Sequence, residues 1–302
     1  MTAESANTVD ATKPDAETVE FTAADGTPLS GRFFAAANGP RSSPVLICAA
    51  TDVPQRFYTS FARWLAQQGL DVFTFDYRGI GASLRESHVR HCPARKQDWG
   101  QLDMPAALDR LRERTGAGSV DLIGHSAGAQ LVGLMPNHGA IRRVLMVAAS
   151  SGYVWGLRFP YSIAAYGYLR FYLPATAWLL GYSPGRAIGM GEDLPAGVAR
   201  QWSRWCLGRG YVENEFGRGI SHHYYHEFRA PILSLYASDD SIATPRNVDD
   251  LLRLFPVAPK QKACLDPSRL GVPSLGHVEF FRSSRSAAWP LALDWLREGK
   301  SP

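Results

Sequence analysis

Hydrophobic and polar positions along the chain alternate between short, wholly apolar runs and longer amphipathic ones. PVLICAA, Pro44 to Ala50, is continuous and apolar, the pattern of a strand buried on both faces. In the following FYTSFARWLAQQG, Phe57, Phe61, Trp64 and Leu65 share one helical face and Gly69 stops the helix. DVFTFDY reads as the next buried strand. The pattern then predicts a helix from about Trp99 to Arg114, a strand over SVDLIG, a helix opening near Ser126 and a strand over RRVLMVAA. After an interruption APILSLYA resumes as strand, a helix starts after Pro245, which suits a first-turn position, and SAAWPLALDWLRE closes the chain as a helix. Near the other end, VEFTAADGTPLSGRFFAAA predicts two strands joined by a turn at Asp25-Gly26. Residues 1–18 read as a solvated tail.

Strands alternating with helices of this length imply an α/β fold, a doubly wound, mostly parallel sheet. Right-handed crossovers gather the strand C-termini at one edge, where such sheets build their sites. The core is expected over 19–149 and 229–302. Between them, 150–228 has a different composition, holding 17 of the chain's 34 aromatic residues with no sustained period. It reads as a helical cap inserted over that edge.

Composition narrows the class. With 32 Lys+Arg against 28 Asp+Glu the formal charge is +4, and the basic residues are scattered, which argues against nucleic acid as a partner. Cys48, Cys92, Cys206 and Cys264 lie far apart and match neither a disulfide framework nor a zinc site, as suits a reducing compartment. The N-terminus has no apolar signal-like region. The most membrane-like stretch, YSIAAYGYLRFYLPATAWLLGY, is interrupted by Arg170 and Pro174. A cytoplasmic protein without stable membrane insertion is the expectation.

The chemistry concentrates at Gly124-His125-Ser126-Ala127-Gly128. This G-x-S-x-G follows a predicted strand and opens a predicted helix, the setting in which a sharp turn holds a serine hydroxyl proud of a sheet. Side chains at Gly124 and Gly128 would collide with neighbouring elements. A serine hydroxyl is a weak nucleophile and requires a base and an orienting acid. Ser238-Asp239-Asp240-Ser241 follows a strand, and His277 stands in a loop before the last helix. Chemistry alone leaves Asp239 and Asp240 both open.

Other candidates read more plainly. Arg78-Gly79-Ile80-Gly81 lacks the third glycine and the ribose acid of a dinucleotide site, so no cofactor is expected. His222, His223 and His226 read as packing or solvated rather than metal-binding, so no metal is expected. His125 reads as structural beside the turn. Cys48 and Cys206 read as small buried hydrophobes. Glu192-Asp193 is the acidic pair a peptidase would use for a substrate amine, or simply a solvated face.

These motifs resemble the α/β-hydrolase superfamily, and in particular a group of bacterial predicted hydrolases similar to serine aminopeptidases or esterases. The resemblance runs from about Phe21 to Arg297 and is carried by DYRGIGAS, GHSAG, ASDDSIATP and LGHVEFF, with WGQLDMPAALDRL, LVGLMPN and GEDLPAGVARQWSRWC matching the narrower group. It implies Ser126 as nucleophile, His277 as base and then acid, and Asp240 as the carboxylate fixing the imidazole. It implies an oxyanion hole from the Ala127 N–H and a second N–H in the loop after PVLICAA, assigned to Thr51 with Asp52 as the neighbouring choice. Relatives carry His-Gly where this chain has Ala49-Ala50-Thr51-Asp52, and the Asp52 side chain is expected to turn away. The implied activity is serine hydrolysis of a carboxylic ester, and the aromatic cap points to a small acyl substrate with an apolar or aromatic group. An amidase or aminopeptidase, an acyltransferase, or a binding module with a silent triad are the alternatives.

Overall fold

The computed structural model describes residues 16–40 and 42–302. The expected tail therefore lies outside the described residues up to 15, and its last two positions, Glu17 and Thr18, are already strand. The strands are β1 (Glu17–Thr22), β2 (Pro28–Phe34), β3 (Val45–Cys48), β4 (Val72–Phe75), β5 (Val120–His125), β6 (Ile141–Val147), β7 (Tyr182–Ser183), β8 (Leu194–Pro195), β9 (Ile232–Ala237) and β10 (Lys260–Leu265). Eight form one sheet in the order β1-β2-β4-β3-β5-β6-β9-β10, while β7 and β8 pair separately in the inserted segment. β1 pairs antiparallel with β2 and β2 with β4; every other neighbour is parallel. The order reverses at β3, so the loops after β3 and β5 open side by side, with Cys48 opposite Gly124 in register.

The apolar runs become central strands for the reason their composition gives: β3, β4, β5 and β9 are buried along their whole length. The helices are α1 (Thr59–Gln67), α2 (Lys96–Asp98), α3 (Met104–Thr115), α4 (Ala127–Gln130), α5 (Tyr161–Gly167), α6 (Leu173–Leu179), α7 (Ala196–Leu207), α8 (Pro245–Leu252) and α9 (Trp289–Glu298). The expected helix from Trp99 begins three residues earlier and is not regular. A wide π-type turn, Trp99–Asp103, separates α2 from α3, with Pro105 in the first turn of α3. Proline has no N–H to return to the preceding turn, and the wide turn absorbs that missing bond. The same device recurs at Tyr168–Tyr172 ahead of Pro174.

One buried ion pair braces the turn after β4. Arg78 donates from Nε to Asp103 Oδ1 at 2.7 Å and from its backbone N–H to Oδ2 at 2.9 Å, and its guanidinium also reaches Asp25 at 2.6 Å. Asp103 is wholly buried. Asp103→Ala leaves the guanidinium without its buried partner, and urea denaturation is expected to show a loss of about 3–5 kcal/mol.

Candidate active site

β5 delivers the central serine. Its chain leaves the strand at Ser126 with φ 48° and ψ −106°, a backbone that non-glycine residues adopt only under constraint. The turn is tight on both sides. A Cβ on Gly128 would stand 2.2 Å from the Cys48 carbonyl oxygen, and one on Gly124 would stand 2.5 Å from the backbone of Ala129. Only glycine lets α4 lie this close to β3 and β5.

The structure brings Ser126, His277 and Asp240 together from three distant segments. Ser126 Oγ lies 3.0 Å from His277 Nε2, and His277 Nδ1 lies 2.9 Å from Asp240 Oδ2. Asp240 sits just past β9 with its side chain fully buried, and Oδ1 accepts from the N–H groups of Ile242 at 2.7 Å and Ala243 at 3.0 Å. Burial alone would raise its pKa, but the neighbouring His277 and these donors outweigh it and hold the carboxyl below its ordinary value. Asp239, the other carboxylate left open by the sequence, accepts instead from the N–H groups of Leu275 and Gly276, both at 3.0 Å. It ties down the loop that carries His277.

His125 does more than fill space beside the turn. It is fully buried, with Nδ1 2.8 Å from the Tyr58 hydroxyl and Nε2 2.8 Å from the His277 backbone carbonyl. A carbonyl only accepts, so Nε2 carries the proton and Nδ1 accepts from Tyr58. The Tyr58 oxygen in turn accepts from the Ala50 N–H at 2.9 Å. Burial, reinforced by the charge of His277, pushes the His125 pKa down to about 3, so the ring is neutral and this tautomer is fixed. The loop after β3, the serine turn and the histidine loop are thereby joined by one buried chain of hydrogen bonds.

That first loop holds Thr51 and Asp52. Among the described residues neither the Thr51 nor the Ala127 N–H donates to an acceptor of the chain, and the same is true of Asp52. Thr51 Oγ1 accepts from Lys96 Nζ at 2.5 Å. Lys96 is wholly buried at the start of α2, its ammonium 4.8 Å from the Trp99 ring centroid and 5.4 Å from that of Trp202. Nothing in the sequence pointed to it, because a lysine at the head of a charged helical stretch reads as solvated.

The Asp52 side chain is buried rather than solvated. With φ 59° its backbone takes the left-handed form, and its carboxylate packs in against the Gly191 stretch. Burial raises its pKa to about 7, opposed by the charges of Lys96 and His277. Burial likewise brings Lys96 down to about 7. Tyr161 and Tyr168, on the 161–179 helical run, complete the surroundings. Burial first, and then the charges of Asp240 and Asp52 on Tyr161 and of Asp52 on Tyr168, raises both hydroxyls.

Glu192 is bound by Arg56 at 2.6 Å and by Arg186, and Asp193 accepts from the Arg186 N–H at 3.0 Å. Glu192 is therefore already neutralised, while Asp193 is held only by that one backbone N–H. His223 stacks on Phe216 at 3.8 Å, and among the described residues no group of three or more His, Cys, Asp and Glu is placed to hold a metal ion.

Tyr58→Phe tests the buried chain directly. It strips partners from the Ala50 N–H and from His125 Nδ1 at once, and chemical denaturation is expected to register a loss of about 1–3 kcal/mol for each group left unpaired.

The α/β-hydrolase family model, described as "Alpha/beta hydrolase family", matches residues 26–289. Over 71 residues the chain is 39% identical to the uncharacterised protein YfhR of Escherichia coli K12, an alignment covering 22% of this chain and 25% of YfhR. The matched stretch thus spans only a quarter of that relative. Among solved structures, a soluble variant of monoglyceride lipase from Saccharomyces cerevisiae is similar with a TM-score of 0.67 and 15% identity, covering 99% of this chain and 100% of the other. A thermophilic esterase from Thermogutta terrifontis is similar with a TM-score of 0.61 and 16% identity, covering 94% and 99%. At such identities the likeness is one of fold. The family match over nearly the whole chain, on the sheet and serine turn described above, settles the relationship: the chain belongs to the α/β-hydrolase family.

Proposed function

We propose that the protein is a serine hydrolase that cleaves a carboxylic ester through an acyl-enzyme, with 150–228 serving as the cap over its site. The observation that carries this reading is the continuous bonding from Asp240 through His277 to Ser126, with the serine held in a strained turn. Ser126 Oγ attacks the ester carbonyl while His277 Nε2 takes its proton. The tetrahedral oxyanion is met by the free Ala127 and Thr51 N–H groups. His277 then gives its proton to the departing alkoxide, leaving the acyl group on Ser126. A water molecule, deprotonated by the same nitrogen, releases the acid and restores the serine. Asp240 keeps Nδ1–H aimed at itself and so Nε2 aimed at Ser126. Two tyrosines and the aromatic composition of the cap suit an apolar or aromatic acyl group. The neutralisation of Glu192 by two arginines favours an ester over a peptide amine.

The test is hydrolysis of p-nitrophenyl esters of increasing acyl length. Ser126→Ala is expected to lower kcat about 10^6-fold and Asp240→Asn about 10^4-fold, with the two losses not multiplying. An undiminished rate in Ser126→Ala, or no fluorophosphonate labelling of Ser126 in the wild type, refutes the reading.

A pH dependence follows from Asp52. Below about pH 7 its carboxyl is neutral; above, it carries a negative charge beside the proposed oxyanion hole, while Lys96 loses its positive charge over the same range. Both changes disfavour an oxyanion. On the alkaline side of pH 7 the kcat/KM of Asp52→Asn is therefore expected to exceed that of the wild type by about tenfold, and to match it on the acid side. Parallel profiles for the two proteins would exclude a role for this carboxyl.

A further inference from the structure

Nine of the ten large apolar side chains that stand exposed among the described residues fall between Trp155 and Ile188. Trp178 is 79% exposed, Phe159 75%, Leu179 68% and Phe171 64%. The helical run from Tyr161 to Leu179 buries Ser162, Leu169, Leu173 and Ala177 against the molecule. Its opposite side is apolar as well, with Ile163, Phe171 and Trp178 outward where a surface helix normally carries charge. A helix apolar on both sides needs a second apolar medium, and an exposed patch this concentrated marks an interaction surface.

The charge around the patch identifies the medium. No Asp or Glu occurs between Asp121 and Glu192, while Arg158 and Arg170 are exposed beside Phe159 and Phe171, and neither pairs with a carboxylate among the described residues. A two-fold contact with a second copy would set these arginines against themselves with no acid in the segment to answer them. Anionic headgroups answer them directly. Tryptophan and phenylalanine above an aliphatic layer, with arginines at its rim, is the chemistry of a surface lying in the headgroup region of a bilayer.

We propose that the outer face of the 155–188 segment docks on an anionic lipid bilayer. The same helical run brings Tyr161, itself one of the nine, within reach of the charges of Asp240 and Asp52, and the half-buried Tyr168 within reach of Asp52. Docking therefore sets the entrance of the site against the lipid layer, and, resting on the hydrolase reading, makes the substrate an ester of an acyl lipid drawn from that layer.

The full chain is sedimented with phosphatidylcholine vesicles with and without phosphatidylglycerol. Binding is expected to the anionic vesicles, to weaken as salt rises, and to fall about tenfold in Trp178→Glu and again in Phe171→Glu. Arg158→Gln with Arg170→Gln is expected to remove the preference for phosphatidylglycerol. The unchanged denaturation midpoint of these surface variants, and their unchanged hydrolysis of a short soluble ester, separates docking from folding and from chemistry. No sedimentation with either vesicle overturns the proposal. So does a dimer in analytical ultracentrifugation that Trp178→Glu dissociates. Failure of the short-ester assay in the wild type, with vesicle binding intact, would sink the hydrolase reading and the lipid-ester substrate while leaving the docking surface standing.

Discussion

The neutral imidazole of His125 is the constraint on which the site depends. It lies at the end of β5, one residue before the strained serine, and its two nitrogens reach in opposite directions to Tyr58 and to the His277 carbonyl. Phe281 packs on both rings of this pair, with centroids 4.9 Å from Tyr58 and 4.9 Å from His125. Were the ring charged, both nitrogens would donate, and the Tyr58 oxygen would face two donors, the Ala50 N–H and Nδ1–H. The hydroxyl proton would then need a third acceptor inside an apolar pocket. Burial excludes that state, and excluding it fixes the relative positions of the three loops at the sheet edge. The position between the first glycine and the serine of the motif is thus a hub, joined by hydrogen bonds to the two loops that arrive from elsewhere in the chain.

Around this hub two aspartates of the same intrinsic acidity are driven apart. Asp240 has three donors and stays ionised; among the described residues the Asp52 carboxylate has none, and its pKa stands at about 7. Burial acts on both in the same direction, so the difference lies first in the charge of the adjoining His277 and then in the donors. A carboxylate beside the proposed oxyanion site would oppose the reaction only as far as it is ionised, and a pKa near 7 confines that opposition to the alkaline side. Lys96 supplies the complement, a buried ammonium tied to Thr51 and faced by two indoles.

The central sheet and the serine turn were legible because burial on both faces leaves no choice of composition: VLIC and VDLIGH could be little else. β10 was not legible. Its sequence, KQKACL, keeps lysines and a glutamine on an edge that faces solvent, which is how an edge strand avoids pairing with other chains. Helix starts went astray wherever a proline lay inside the periodic stretch. Trp99–Arg114 read as one helix, whereas the chain starts at Lys96 and widens before Pro105; the last helix begins at Trp289 with Pro290 in its first turn. The aspartates could not be told apart by chemistry because both serve the same loop, one at the imidazole and one at its backbone. Lys96 was invisible because two of the groups around its ammonium, Thr51 and Trp202, come from distant parts of the chain.

The wide turns explain how one helical run can serve both the site and an outer apolar face. In a regular helix, positions four apart drift by about 40° at each step, so Ile163, Gly167, Phe171 and Ala175 would spiral off a common face. A turn with the longer i→i+5 spacing at Tyr168–Tyr172 advances less per residue and cancels part of that drift. Phe171 and Trp178 consequently stay outward while Leu169, Leu173 and Ala177 stay buried. The run at 96–115 uses its own wide turn between Lys96, which reaches Thr51, and Asp103, which holds Arg78. In each case a proline that forbids a regular helix forces the slip, and the slip lets side chains from one helical stretch meet two different surroundings. The irregularity that defeats the sequence reading is thus a condition for bringing the helices to the site.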